Sequence, residues 1–283
     1  MNKSINKYVY ILIILLLLSS CSSSDERTLK DCLNTFSSSV NNGSLGESEI
    51  NKIQVIGHAY GSHKGDNLGL AKSVLNYFES QNFDNQILIL TGDIVRDSTI
   101  QNLQLVKNQI EKFFNEYYIA VGNHDLGKSK NNFYDVFESD LNFIKLYSAD
   151  LIVANFTANN WKPSLDDQAS INEFISQSSK DTIILFSHQV YWFELTEKTP
   201  ELNAWYKELE KDAHKWLKTS NKNVIVISGD YGVEVPETFC EYDKLNNILY
   251  IASGISDNPE DRGLLITDTI GQLRISEVKL SED

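Results

Sequence analysis

Positive charge is scarce in this sequence, and so are thiols and long apolar runs. Its 283 residues carry 25 Lys and Arg against 39 Asp and Glu, a formal charge of −14. Such a surface is a poor partner for nucleic acid, because holding a phosphate backbone needs clustered cations. The three cysteines, Cys21, Cys32 and Cys240, form no Cys-x-x-Cys pair, which removes the usual zinc and dithiol spacings. No segment recurs at a solenoid period. The one unbroken apolar run, residues 8–18, is shorter than the roughly 20 residues a helix needs to cross a bilayer.

That run suits export instead. Lys3 and Lys7 precede it and Ser19, Ser20 and Cys21 follow, so residues 1–20 read as a cleaved signal peptide. The ending Leu18-Ser19-Ser20-Cys21 resembles the bacterial lipobox. The resemblance implies a lipoprotein whose Cys21 is lipidated and becomes the mature N-terminus. By the same resemblance, Ser22 rather than aspartate favours the outer membrane if the cell is Gram-negative. The expected location is the bacterial cell envelope. Cleavage leaves 23 basic against 39 acidic residues, a formal charge of −16, which disfavours anionic headgroups and leaves the acyl chain as the membrane attachment.

Residues 21–48, rich in Ser, Asn, Asp and Gly, read as a tether that reaches rather than folds. Residues 49–283 make up the domain, long enough for a sizeable core. With Cys21 lipidated, Cys32 and Cys240 either bond to each other in an oxidising compartment or remain free.

Within the domain, apolar β-rich runs alternate with amphipathic stretches: "KIQVIG", residues 67–80, "QILILT", residues 99–114, "YYIAVG". This predicts a βαβαβ unit of parallel strands covered on both faces. "DTIILFSH", a helical stretch over 201–219 and "NVIVISGD" continue the habit. "NILYIASG", "GLLITDT" and "QLRISEVKL" then follow at short spacing, and are expected as antiparallel strands completing a second sheet. The fold class is α/β: a two-sheet sandwich flanked by helices.

Polar residues gather where these strands end, the place ligands occupy in such sheets. His58 and Tyr60 follow the first strand, Asp93 the second, and Asn123, His124 and Asp125 the third. His188 and Asp230 follow "IILFS" and "IVISG". Oxygen and imidazole donors without thiolates suit a divalent Mn, Fe, Zn or Mg ion. An open site of that kind polarises a phosphoryl oxygen and activates water for attack.

"LTGDIVRD", "AVGNHDLG" and "LFSH" resemble the second, third and fourth motifs of the calcineurin-like metallophosphoesterases, in that family's order. The resemblance implies a four-layer αββα fold and phosphoester hydrolysis. It gives Asp93 the place of a bridging ligand, and Asn123 and His188 those of second-site ligands. His124 takes the place of the residue that binds phosphate and protonates the leaving group, and Asp125 of the one that orients it. A phosphorylated small molecule or glycan is the expected substrate. A non-catalytic protein that binds a phosphorylated glycan, nucleotide or partner is the alternative.

The pattern is altered at both ends. The family's Asp-x-His is here His58 and Tyr60, and its Gly-His-x-His is Gly229, Asp230, Tyr231 and Gly232. Asp230 keeps a donor at the second ion's site, whereas the first loses its last ligand at Gly232, so one ion is expected rather than two. His58 either ligates metal, donates to phosphate or caps its strand. Tyr60 reads as a donor to phosphate, since a neutral phenol is a poor ligand. The exchange of Asp for His at one end and His for Asp at the other is expected to preserve donor number. His63 and Lys64 read as an exposed loop, and Arg96 with Asp97 as a local ion pair. The aromatics Tyr191, Trp192, Phe193, Trp205 and Tyr206 read as a lid or as core, and His214 as solvated.

Overall fold

The computed structural model describes residues 28–37, 51–138, 141–157, 163–189, 217, 221–230, 238–244 and 246–281. The signal segment, Cys21, Tyr231, Gly232, His214, the 201–219 helical stretch apart from Leu217, and the aromatics of 191–206 lie outside them.

Eleven strands among the described residues form two sheets. In the first, β1 (Asn51–Ile56), β2 (Gln86–Leu90) and β3 (Glu116–Ile119) run parallel. Helices α2 (Lys72–Ser80) and α3 (Ile100–Glu111) cross between them. This is the expected βαβαβ unit. The second sheet has the order β4-β5-β6-β7-β9-β8, where β4 is Leu141–Lys145, β5 Ala149–Ala154, β6 Thr182–Ser187, β7 Asn223–Ser228, β8 Phe239–Asp243 and β9 Ile248–Ala252.

The last three strands do not form one antiparallel block in the second sheet, as their spacing suggested. β9 joins the second sheet parallel to β7. β10 (Arg262–Thr269) and β11 (Gln272–Lys279) form a hairpin that crosses to the first sheet, where β10 pairs antiparallel with β1. The register Val55↔Leu264 and Ile53↔Ile266 lays the apolar side chains of both strands on the face turned toward the second sheet. A hairpin set against the outer edge of β8 would leave the free edge of β1 unpaired, with its row of N–H and C=O groups open.

Strand alternation divides the core into three apolar layers. Ile53, Val55 and Ile89 pack between the sheets against Leu151, Val153, Ile184, Phe186, Ile225 and Ile227. Ile56, Leu88 and Leu90 turn outward under α2 and α3, through Val74, Phe78, Leu103 and Val106. Ile183, Leu185, Val224 and Val226 turn the other way under Ile171 and Ile175 of α4 (Leu165–Gln177). Helix, sheet, sheet and helix are thus stacked as four layers.

The tether reading of residues 21–48 is corrected over one stretch. Leu29–Ser37 forms a helix, α1. Leu29, Cys32 and Phe36, spaced three and four apart, are buried in the layer between the sheets. Phe36 meets the edge of Tyr242 at 5.4 Å, and Cys32 is bonded to Cys240 of β8, with Cα atoms 6.3 Å apart. These few apolar side chains on one face suffice for a short helix once a covalent bond and neighbouring strands hold it. Composition alone does not reveal that support.

Candidate metal centre

β1, β2, β3, β6 and β7 end at a common rim, and backbone close approach lets their loops converge. A Cβ on Gly122 would overlap Asp93 Oδ1, so the loop after β3 reaches the carboxylate only as glycine. His58 and Asp93 themselves adopt φ of 52° and 53°. That is left-handed backbone, which costs a side-chain-bearing residue roughly 1–2 kcal/mol and recurs at functional sites.

Asp93 is the centre of the cluster and is almost wholly buried. Its Oδ1 lies 3.5 Å from His188 Nε2 and accepts the His124 backbone N–H at 3.0 Å. Its Oδ2 lies 3.5 Å from His58 Nε2. On the Oδ1 side, His188 Nε2 is also 3.7 Å from Asp230 Oδ1 and 3.2 Å from Asn123 Oδ1. Donor atoms of Asp93, His188 and Asp230 all fall within 4.8 Å of one another. Two carboxylates, an imidazole and an amide oxygen at these separations fit a divalent cation of the Mn, Fe or Zn kind.

His188 Nδ1–H donates to the Thr91 carbonyl at 2.9 Å, which leaves the Nε2 lone pair for an ion. Burial is the largest single influence on this ring and pushes its pKa down. Asp93 and Asp230, helped by the Thr91 carbonyl, outweigh it and hold the pKa above the ordinary histidine value. On the other side, burial keeps His58 below that value despite Asp93. Burial first, then Asp93 and Asp230, raise the Tyr60 phenol well above the usual tyrosine value, so it stays a neutral donor. The Tyr60 ring lies between those of His58 and His124, tilted by 43° and 52°, with centroids 4.5 and 5.2 Å away. Tyr60 OH and His58 Nδ1 are buried and have no hydrogen-bond partner among the described residues.

Asp125 has a different task from orienting His124. Its carboxylate accepts the backbone N–H groups of Gly122 at 2.8 Å, Asp93 at 2.9 Å, Ile94 at 2.7 Å and Val95 at 3.3 Å. It therefore splints the β2 and β3 loops together. Burial and then the Asp93 charge push its pKa up to about 6, while the amides of Gly122 and Ile94 pull it down. The His124 ring is held instead by the Arg96 carbonyl, 2.8 Å from Nδ1. Nδ1 must carry the proton there, which leaves Nε2 as the working end.

Arg96 and Asp97 pair at 3.3 Å, as their adjacency suggested, and the Arg96 guanidinium also donates to the Gly65 carbonyl. His63 and Lys64 are exposed on the loop after β1. Asp257 braces that loop, accepting Ser62 N–H at 2.9 Å and the Asn67 amide at 3.0 Å. Nothing in the local pattern around Asp257, 195 residues from Ser62 in sequence, signals that role.

An α/β sandwich with carboxylate, amide and imidazole donors converging at its strand ends is the architecture of a metal-dependent phosphoesterase. The chain belongs to the calcineurin-like phosphoesterase family, whose model matches residues 62–254. The match takes in Asp93, Asn123, His124, Asp125, His188 and Asp230 and begins beyond His58 and Tyr60. No curated protein matches the chain. Similar solved structures include a 5'-nucleotidase precursor from Thermus thermophilus, with 10% identity, a TM-score of 0.45 and cover of 81% of this chain and 54% of that one. Another is Vacuolar Protein Sorting 29 from Cryptosporidium parvum, with 10% identity, a TM-score of 0.33 and cover of 83% and 100%. The chain thus spans about half the length of the nucleotidase chain.

Proposed function

We propose that the protein hydrolyses phosphoesters with one divalent ion held by Asp93, Asn123, His188 and Asp230. The observation that carries this reading is the convergence of those four donors beside His124, whose backbone N–H is bonded to the same Asp93 carboxylate. When bound, the ion supplies a Lewis acid for the phosphoryl group and the attacking water. His124 protonates the departing alkoxide from Nε2, with Nδ1–H anchored on the Arg96 carbonyl. Asp125 keeps the two loops in register by holding four backbone N–H groups. Tyr60 offers its hydroxyl to a phosphoryl oxygen.

A single ion is favoured because the two oxygens of Asp93 are already divided: Oδ1 faces the donor cluster and Oδ2 faces His58. The replacement of two family ligands by His58 and Tyr60 also favours the second reading, a protein that binds a phosphorylated ligand without turning it over. Metal analysis of the purified protein and assay of aryl phosphate esters with added Mn separate the two. Metal-dependent turnover by the wild-type protein supports the enzyme, and metal-free, inactive protein removes it.

We further propose a lipid anchor at Cys21, which would put the protein on the bacterial envelope and, in a Gram-negative cell, on the outer membrane. The lipobox-like Leu18-Ser19-Ser20-Cys21 supports this reading. Incorporation of labelled palmitate that vanishes in Cys21→Ser tests it; unlabelled wild-type protein refutes it. A phosphorylated small molecule or glycan is the proposed substrate.

A further inference from the structure

β8 begins at the level of the rim. Its first residue, Phe239, lies opposite Ala252 of β9, which in turn lies beside Ser228 of β7, two residues before Asp230. One residue along β8, Cys240 is bonded to Cys32 of α1, and two residues further from the rim Tyr242 meets Phe36. α1 therefore runs with its carboxyl end away from the rim and its amino end toward it. Thr28 caps that amino end: its N–H and hydroxyl donate to Asp31 Oδ2 at 3.2 and 2.6 Å, and its hydroxyl accepts the Asp31 N–H at 3.3 Å. The Thr28 carbonyl oxygen lies 3.5 Å from Cys240 Sγ. Contacts with β8, β9 and β11 hold the helix across the side of the sandwich. Two strand spacings and three residues of rise put Thr28 roughly 15–20 Å from Asp230.

We infer that the disulfide-bonded helix α1 holds the candidate centre beside the membrane, so that the phosphoesters it meets are those carried on lipids of the same bilayer. The inference rests on the proposed lipid at Cys21 and deepens the phosphoesterase reading by naming a substrate class. Seven residues, 22–28, join the lipidated cysteine to α1. Whatever path they take, they span at most roughly 25 Å. The centre then stands no more than about 45 Å from the headgroups. The β10–β11 turn closes strands of eight residues at the opposite end of the sandwich, about 25 Å farther along. Without the Cys32–Cys240 bond and the packing of α1, the connection would run from residue 22 to β1 at Asn51 and reach about 100 Å. A phosphoryl group on a lipid headgroup lies in the layer that the short tether reaches, and anchoring both partners in one bilayer raises their effective concentration. In the reaction, water oxygen forms the new bond to phosphorus and the P–O bond to the leaving alcohol breaks. That alcohol takes its proton through His124, and one water proton goes to solvent.

The test places the lipidated full chain in phosphatidylcholine vesicles that carry an acceptor dye on the headgroups. A donor dye sits on Lys64→Cys at the rim or on Ile270→Cys at the β10–β11 turn, both exposed positions. Energy transfer is expected to be stronger from Lys64→Cys, and twenty Gly and Ser residues inserted between Ser24 and Asp25 should weaken it. Rates with added Mn are compared within two pairs: hexadecyl against ethyl 4-nitrophenyl phosphate, and phosphatidic acid against glycerol 3-phosphate. In whichever pair is hydrolysed, the vesicle-borne ester should turn over about ten-fold faster or more at equal total concentration. The insertion should lower that preference about two-fold, as the root-mean-square span of the tether doubles, and leave the soluble ester unchanged. Equal transfer from the two dyes, stronger transfer from Ile270→Cys, equal rates within a hydrolysed pair, or a preference that the insertion leaves intact overturns the inference. Wild-type protein that takes up no labelled palmitate overturns the anchor and this inference with it. Stronger transfer from the rim without turnover of any of the four esters supports the placement and overturns the hydrolase reading instead.

Discussion

The two oxygens of Asp93 look onto different chemistry. Beyond Oδ1 stand His188, Asn123 and Asp230, a set of donors with matched spacing. Beyond Oδ2 stands His58 with Tyr60 beside it, an imidazole and a phenol whose Nδ1 and hydroxyl have no hydrogen-bond partner among the described residues. One carboxylate thus faces a cluster of possible ion donors on one side and an imidazole beside a phenol on the other.

The two sides of Asp93 separate most clearly when a donor is removed from each. His188→Ala is expected to weaken Mn binding by about 100-fold or more, whereas His58→Ala should change it less than about five-fold. Equal losses by calorimetry would abolish the asymmetry. Replacing His124 by Ala should lower kcat by about 100- to 10,000-fold for esters with alkoxide leaving groups and far less for nitrophenolate, which needs no acid. An equal drop for both leaving groups would assign His124 to binding alone.

Cys32→Ser should destabilise the fold by roughly 2–5 kcal/mol, since the bond closes a very long stretch of chain. Its kcat should stay within a factor of about two, because α1 lies on the β8 edge and not at the rim. Denaturant unfolding and steady-state rates check both. Asp125→Asn should cost about 1–3 kcal/mol, because an amide presents one oxygen to four N–H donors. The His124 leaving-group dependence should survive that change, since Arg96 holds the ring.

The smallest effect is one of pH. Asp93 and Asp230 hold the His188 pKa above its ordinary value, and an ion requires the neutral ring. Mn affinity should therefore fall as pH drops through that raised pKa, with a proton released on binding near neutrality. Titrations in buffers of different ionisation enthalpy read the proton count. Zero release would place His188 outside the ion's shell.

Much of the site is legible because it is local. Asp93, Asn123, His124 and His188 each follow an apolar run within a few residues, and a strand of parallel type points its C-terminal end at the rim. Adjacency misleads at Asp125. Successive residues on a helical turn diverge by about 100°, so Asp125 turns back to Gly122 N–H while His124 turns toward Arg96. A carbonyl partner such as that of Arg96 leaves no mark on residue type, and the Asp257 brace acts across 195 residues.

The same division runs through the whole chain. Apolar runs and their polar ends were enough to mark the β–α alternation, the acidic surface, the family motifs and the altered first and last positions, because periodicity and motif order are properties of neighbouring residues. Which sheet takes the β10–β11 hairpin, whether Cys32 meets Cys240, and which oxygen of Asp93 faces His58 depend on residues far apart in sequence. Those were decided by packing, which pairs edges, faces and donors only once the layers are stacked.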